Sequence, residues 1–240
     1  ALCGVLWTMG RLDEGPLAVD VTRYLDARGL LGEARAAGWF ALPPEAAQGE
    51  LAAWLATLAD TAGADVAPEH APGWTRADLE ALGWLPHIPH EANRLCIPWR
   101  GPDGLVCNVQ RRRLDGERAR KYVFPAGRTT RWPYGVEVLR DGAPVALVEG
   151  AIDTIALRAL YRRHGVDRDV LGLPGANIWR DDWGELLRGR EVVLALDADA
   201  AGERAAVKLG EVAWVAGATA VTRATPTGAG DWADRLPVAR

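Results

Sequence analysis

The chain has 240 residues, enough for one large domain or two small ones, each with its own core. Hydrophobic residues make up 49% and charged residues 25%, which excludes a disordered or low-complexity chain. The net charge of −4 does not exclude a nucleic-acid partner, which needs positive charge in one place rather than overall.

No apolar run approaches the roughly 18 residues of a membrane helix, so no membrane contact is expected. Ala1 to Gly10 is apolar but lacks a basic leader and a cleavage site, and does not read as a signal peptide. Cys3, Cys96 and Cys107 form an odd, sparse set without a C-x-x-C. They argue against a disulfide scaffold and for a reducing, cytoplasmic compartment.

Taken in order, the chain first reads helical. Val21, Tyr24, Leu25, Leu30 and Leu31 fall at helical spacing, and Gly29 ends the first helix. Leu51, Trp54, Leu55 and Leu58 mark a second helical pattern, 62–73 a loop, and Thr75 the cap of a short helix to Leu82. The texture changes near Leu95. Leu95 to Trp99 reads as a strand, Asp103-Gly104 as a hairpin turn, Leu105 to Gln110 as the return strand, and Lys121 to Phe124 as a third strand. These predict a small antiparallel sheet.

After about Gly135, strands and helices alternate. The strands are Pro144–Val148, Val170–Leu173, Val192–Leu196 and Ala218–Thr222. The helices are Asp153–Arg163 and Ala200–Leu209, with a short one at Trp183–Leu187. Strands apolar on both faces and separated by helices predict a parallel α/β sheet. The expected fold class is therefore α/β: an α+β N-terminal subdomain over 1–135, then an α/β domain with a mostly parallel sheet over 136–240.

Acidic residues follow three of these strands. Glu149-Gly150 ends the first, Asp197-Ala198-Asp199 ends the third, and Asp231 and Asp234 follow the last. Ligands of open parallel sheets bind at the carboxyl ends of the strands, so all three clusters should reach one rim. Residues i and i+2 of extended backbone point the same way, which sets Asp197 beside Asp199. Crowded carboxylates repel one another and favour a divalent cation between them; Mg2+ or Mn2+ suits such oxygen ligands. Gly150 and Gly202 are expected to permit close approach of backbone or phosphate, and the helix starting near Ala200 to bring a positive end to the rim. A lone D-x-D after a strand is most often a turn or a helix cap. The weight here comes from both acidic segments occurring in order on consecutive α/β units.

Glu149-Gly150-Ala151-Ile152-Asp153 followed by Asp197-Ala198-Asp199-Ala200-Ala201-Gly202 resembles the E-G-x-x-D and D-x-D-x-x-G signature of TOPRIM domains, over about Pro144 to Leu236. That resemblance implies that Glu149, Asp197 and Asp199 are catalytic and hold metal, with Asp153 and Asp231 as accessory metal positions. Residues ahead of it narrow the choice. Tyr24-Leu25-Asp26-Ala27-Arg28-Gly29-Leu30, then Cys96 to Gly104, Gln110 to Leu114 and Lys121-Tyr122, are similar in order and spacing to the segments that precede TOPRIM in DnaG-like primases of bacteria and phages.

Charge agrees. From Arg100 to Arg131 there are nine basic residues and three acidic ones, the one strongly positive stretch in an acidic protein. Arg111, Arg112, Arg113, Lys121 and Tyr122 are the candidate contacts to nucleic acid or nucleoside triphosphate; Tyr122 and Trp99 are read as surfaces on which bases stack. The bland alternative for the arginines is a solvated hairpin face.

The resemblance implies a DNA primase: a nucleotidyltransferase making short RNA primers on single-stranded DNA in bacterial, phage or plasmid replication. Its implied partners are the template, ribonucleoside triphosphates and a replicative helicase. A TOPRIM nuclease and a non-catalytic primase-like binding module are the alternatives. The zinc-binding cluster that usually precedes a primase core has no counterpart, His87-x-x-His90 with Cys96 being the only candidate. A fragment and a reduced primase both remain open.

Overall fold

The computed structural model describes residues 12, 18–42, 94–115, 121–124, 130–175, 178–226 and 230–236. The helical patterns expected at 51–58 and 75–82, the loop between them, and His87 and His90 lie outside the described residues.

The chain packs as two compact units. The first comprises Ala1–Leu25, Arg35–Pro98 and Asn108–Thr129; the second comprises Asp26–Ala34, Trp99–Cys107 and Thr130–Arg240.

Helix α1 (Val19–Asp26) buries Val21 and Leu25, four residues apart and hence on one face. A second short helix, α2, covers Leu31–Ala36. Strands β1 (Phe40–Ala41), β2 (Leu95–Arg100), β3 (Val106–Arg112) and β4 (Tyr122–Val123) form a four-stranded sheet in that order. Phe40 pairs with Cys96, and Arg112 with Tyr122, both antiparallel. The β2–β3 turn falls at Asp103-Gly104, as expected: the Gly104 N–H donates to Gly101 O at 2.9 Å, and the Leu105 N–H donates to Asp103 Oδ1 at 3.0 Å. Arg94 braces this unit, donating from Nε to Leu42 O at 2.9 Å and pairing with Asp20 of α1.

The second unit contains the α/β sheet. Its strands are β5 (Val145–Val148), β6 (Asp169–Gly172), β7 (Glu191–Leu194) and β8 (Ala220–Arg223), in spatial order β6-β5-β7-β8 and all parallel. Helix α3 (Ala151–Arg163) follows β5, and α4 (Ala200–Val215) follows β7. Alternation along each strand fills two cores. Val145, Leu147, Val192 and Leu194 pack on one face with Leu209 and Ala213 of α4 and with Trp183 and Leu187. Ala146, Val148 and Val170 pack on the other with Leu157 of α3. A sheet covered on both sides explains why its strands read as continuous apolar runs. Burying each large side chain contributes about 1.5–3 kcal/mol.

Most strand ends lie within two residues of the expected bounds, and two elements differ more. α4 runs six residues past Leu209, because Gly210 packs against Leu194 and Ala213 is still core. The Trp183 segment is a 3-10 turn over Asp181–Leu187 rather than an α-helix. It still buries Trp183 fully, and the indole N–H donates to Arg131 O at 2.8 Å. No helix among the described residues is long and apolar enough to cross a membrane.

Candidate active site

β5 and β7 are neighbours, so the residues that follow them emerge side by side at the carboxyl ends. Glu149 comes directly after β5 and is half-buried. Its Oε1 accepts the Asp197 N–H at 3.2 Å, across 48 residues of sequence. Burial raises the Glu149 carboxyl above its ordinary pKa, and the negative charge of Asp199 adds to this; the Asp197 N–H and the Arg223 cation oppose it.

Asp199 begins α4. Its Oδ1 accepts the N–H groups of Ala201 at 2.9 Å and Gly202 at 2.8 Å, capping the helix. The cap reading of this aspartate is thus realised, and these two helix N–H groups are already engaged. Asp199 is exposed and Asp197 half-buried. Asp231 caps the turn Trp232–Arg235 in the same way, its Oδ1 accepting the Asp234 N–H at 3.1 Å.

Asp153 lies in the first turn of α3 and is 9% exposed. Burial holds its carboxyl well above the usual carboxylate range, reinforced by Asp231, Asp197 and Glu149. Glu149, Asp197 and Asp231 thus lie within electrostatic range of the buried Asp153, and Asp199 within range of Glu149.

One residue there has no counterpart in the sequence reading. Arg223, the last residue of β8, donates from Nη1 to Leu194 O at 2.8 Å, Leu196 O at 2.9 Å and Ala224 O at 2.5 Å. Its Nη2 reaches Asp197 O at 3.0 Å and Glu203 Oε1 at 2.7 Å.

The close approaches fall at one expected glycine and one unexpected one. A Cβ on Gly202 would lie 2.3 Å from Asp197 O. A Cβ on Gly150 would meet nothing nearer than Asp153 Oδ2 at 3.8 Å, which is ordinary contact. The tight position opposite the β5–α3 loop is instead Gly172 of β6, where a Cβ would lie 2.9 Å from Gly150 O.

No three acidic, histidine or cysteine side chains among the described residues stand as a ready-made cation cage. The donor chemistry nonetheless fits a hard divalent ion. The available atoms are carboxylate oxygens, which such ions prefer. Asp153 Oδ1 is buried with no hydrogen-bond partner among the described residues. A cation relieves the mutual repulsion that adds to burial in raising Glu149 and Asp153.

In the first unit, the basic stretch is less open than its charge implies. Arg111 and Arg112 are 5% and 6% exposed, so they form no solvated face. Burial lowers the pKa of Arg111. The Arg112 guanidinium lies 5.3 Å from the centre of the Tyr24 ring and 4.8 Å from that of Tyr122, whose hydroxyl it also bonds. Arg113 is paired with Asp115. Lys121 is exposed, its Nζ 5.8 Å from the Tyr122 ring centre.

Within the second unit, Trp99 is 1% exposed and packs edge-on against Tyr134, with ring centroids 5.4 Å apart. Contrary to expectation, its ring offers no face to a base.

Residues 146–236 match the Toprim-like family. The segment that carries the acidic rim is accordingly a Toprim-like α/β domain. The chain as a whole has the fold of DnaG primase catalytic cores, in agreement with the motif resemblance. It superposes over 97% of its length on the zinc-binding and RNA polymerase domains of Aquifex aeolicus primase, with a TM-score of 0.67 and 18% identity, and spans 55% of that chain. The RNA polymerase domain of Mycobacterium tuberculosis DnaG matches over 97% of this chain and 75% of its own, with a TM-score of 0.64 and 20% identity. A DnaG primase catalytic domain bound to single-stranded DNA matches over 98% and 73%, with a TM-score of 0.62 and 20% identity. Among curated proteins, none matches the sequence.

Proposed function

We propose that the chain is a primase catalytic core, joining ribonucleotides into short primers on single-stranded DNA. The observation that carries this reading is the meeting of Glu149 with Asp197 at the carboxyl ends of adjacent parallel strands. The fold shared with a primase domain bound to single-stranded DNA supports the template as the partner.

In this reading Glu149, Asp197 and Asp199 hold the divalent metal, with Asp153 and Asp231 accessory. Mg2+ or Mn2+ bound there supplies activation of a 3′-hydroxyl and neutralisation of triphosphate charge. Glu149 sets the Asp197 peptide, and the Asp199 cap fixes the start of α4. Lys121 and Arg113 take phosphates of the template or the incoming nucleotide, while Arg111, Arg112 and Tyr122 shape the β3–β4 strands that carry them. A replicative helicase is the proposed cellular partner.

Primer synthesis on single-stranded DNA with ribonucleoside triphosphates tests the proposal. E149Q and D197N should abolish synthesis and leave template binding within about twofold, because substitutions that touch only the charge-stabilising groups act on the transition state. Undiminished synthesis by both variants overturns the site. Cleavage of labelled DNA without extension identifies a nuclease instead. Failure of the wild-type chain to bind Mn2+ identifies a non-catalytic module.

A further inference from the structure

We propose that Arg223 is a positioning residue of the acidic rim: its guanidinium fixes the backbone of the Asp197 loop and so aims the Asp197 and Asp199 carboxylates. The inference rests on the metal-site reading above and deepens it.

The five acceptors of this side chain are not scattered. Leu194 O ends β7, Leu196 O and Asp197 O belong to the connection, and Glu203 lies in the first turn of α4. A single planar group therefore ties together the strand, the loop and the helix that bracket the D-x-D. Ala224 O adds the anchor on its own strand end.

The Asp197 peptide is held on both sides. Its N–H is taken by Glu149 Oε1 at 3.2 Å and its carbonyl by Arg223 Nη2 at 3.0 Å. The connection from Leu194 to Ala200 is tied to β5 by the Ala195 N–H, which donates to Leu147 O at 2.8 Å, and to α4 by the Asp199 cap; between them the Asp197 peptide is held by Glu149 and Arg223. Nη1 and Nη2 present four N–H groups in one fixed plane, the two on Nη1 shared among the Leu194, Leu196 and Ala224 carbonyls, whereas an ammonium is a compact charge with three donors that cannot span these acceptors together. Side chains that orient ligands in this manner are worth about 10–100-fold in metal affinity when lost.

R223K is the informative variant, because it keeps the positive charge near the rim and removes only the fork. Calorimetric titration of the full chain with Mn2+ should show affinity weakened about 10–100-fold. Amide hydrogen exchange without metal should show Asp197 exchanging at least about tenfold faster, with Val145–Val148 as protected as before. Mn2+ affinity and Asp197 exchange both equal to wild type would overturn the inference. If R223K fails to fold, E203A removes one acceptor of the fork and leaves Arg223 in place. It is read by exchange at Asp197, which loss of a charge alone moves little; acceleration supports the inference and no change overturns it. A wild-type chain that takes up no Mn2+ sinks the metal reading itself, and this inference with it, before any variant is made.

Discussion

Gly202 and Asp197 approach each other so closely that a Cβ on Gly202 would stand 2.3 Å from the Asp197 carbonyl oxygen and 3.0 Å from Glu149 Oε1. This contact gives the D-x-D-x-x-G spacing a physical meaning. The first turn of α4 comes down on the peptide that Glu149 and Arg223 hold, and only a residue without a side chain fits there.

The G202A variant should consequently lose about 1–3 kcal/mol of stability, because the obstacle is backbone rather than the end of a flexible side chain. Alanine's better helix propensity returns at most about 1 kcal/mol. G150A provides the contrast. Its Cβ has room and its backbone is extended, at φ −167°, so its stability should stay within about 0.5 kcal/mol of wild type. Urea melts of the two variants check this, and equal midpoints would refute the crowding at Gly202.

The α/β half of the fold was legible because its signals are local. Four short apolar runs, two of them followed at once by an acidic turn and a helix, specify strand and loop within ten residues of one another. Glu149, Asp197 and Asp199 were legible for the same reason, since each directly follows such a run. Arg223 was not, because its acceptors are carbonyls up to 29 residues away and a carbonyl leaves no mark on sequence. The burial of Arg112 was hidden likewise: three consecutive arginines read as surface, and the Tyr24 ring that covers one of them belongs to α1, 88 residues earlier. Crowding at Gly172 rather than Gly150 depends on β6 lying beside β5, which is a matter of strand order and not of motif.

Cys107 offers a test by pH. Its side chain reaches the surface, yet its sulfur is partly desolvated and donates to Trp99 O at 3.3 Å. Burial, with the Asp103 and Glu137 carboxylates adding, raises its pKa. In a Cys3→Ser background, with Cys96 buried, iodoacetamide should label Cys107 with a half-maximal rate above the free-thiol pKa of about 8.5. The sign for stability follows. A pKa raised by folding contributes stability that is fully present below the unfolded value and is lost as pH rises through the folded one. Cys107→Ser should therefore melt more nearly alike at pH 8 and pH 10 than the parent does. A half-maximal labelling rate at or below about pH 8.5 contradicts the raised thiol.

The two ends of the basic stretch should separate under mutation. Arg112 is buried between Tyr24 and Tyr122, where a desolvated cation over two rings and a hydroxyl contributes through packing as well as charge. R112A should cost about 2–4 kcal/mol in a urea melt. R112K should recover only part of this, since an ammonium lacks the plane that stacks between rings. Lys121 is exposed, and K121A should leave the melt within about 0.5 kcal/mol. If Lys121 meets a phosphate of the template, the same variant should weaken single-stranded DNA binding uniformly across sequences. It should also reduce the slope of log K against log salt by about 0.7, the share of one phosphate contact on a single strand. A K121A variant with an unaltered salt slope would remove Lys121 from the nucleic-acid interface; an R112A variant as stable as wild type would show that the arginine between the tyrosines is not holding the strands in place.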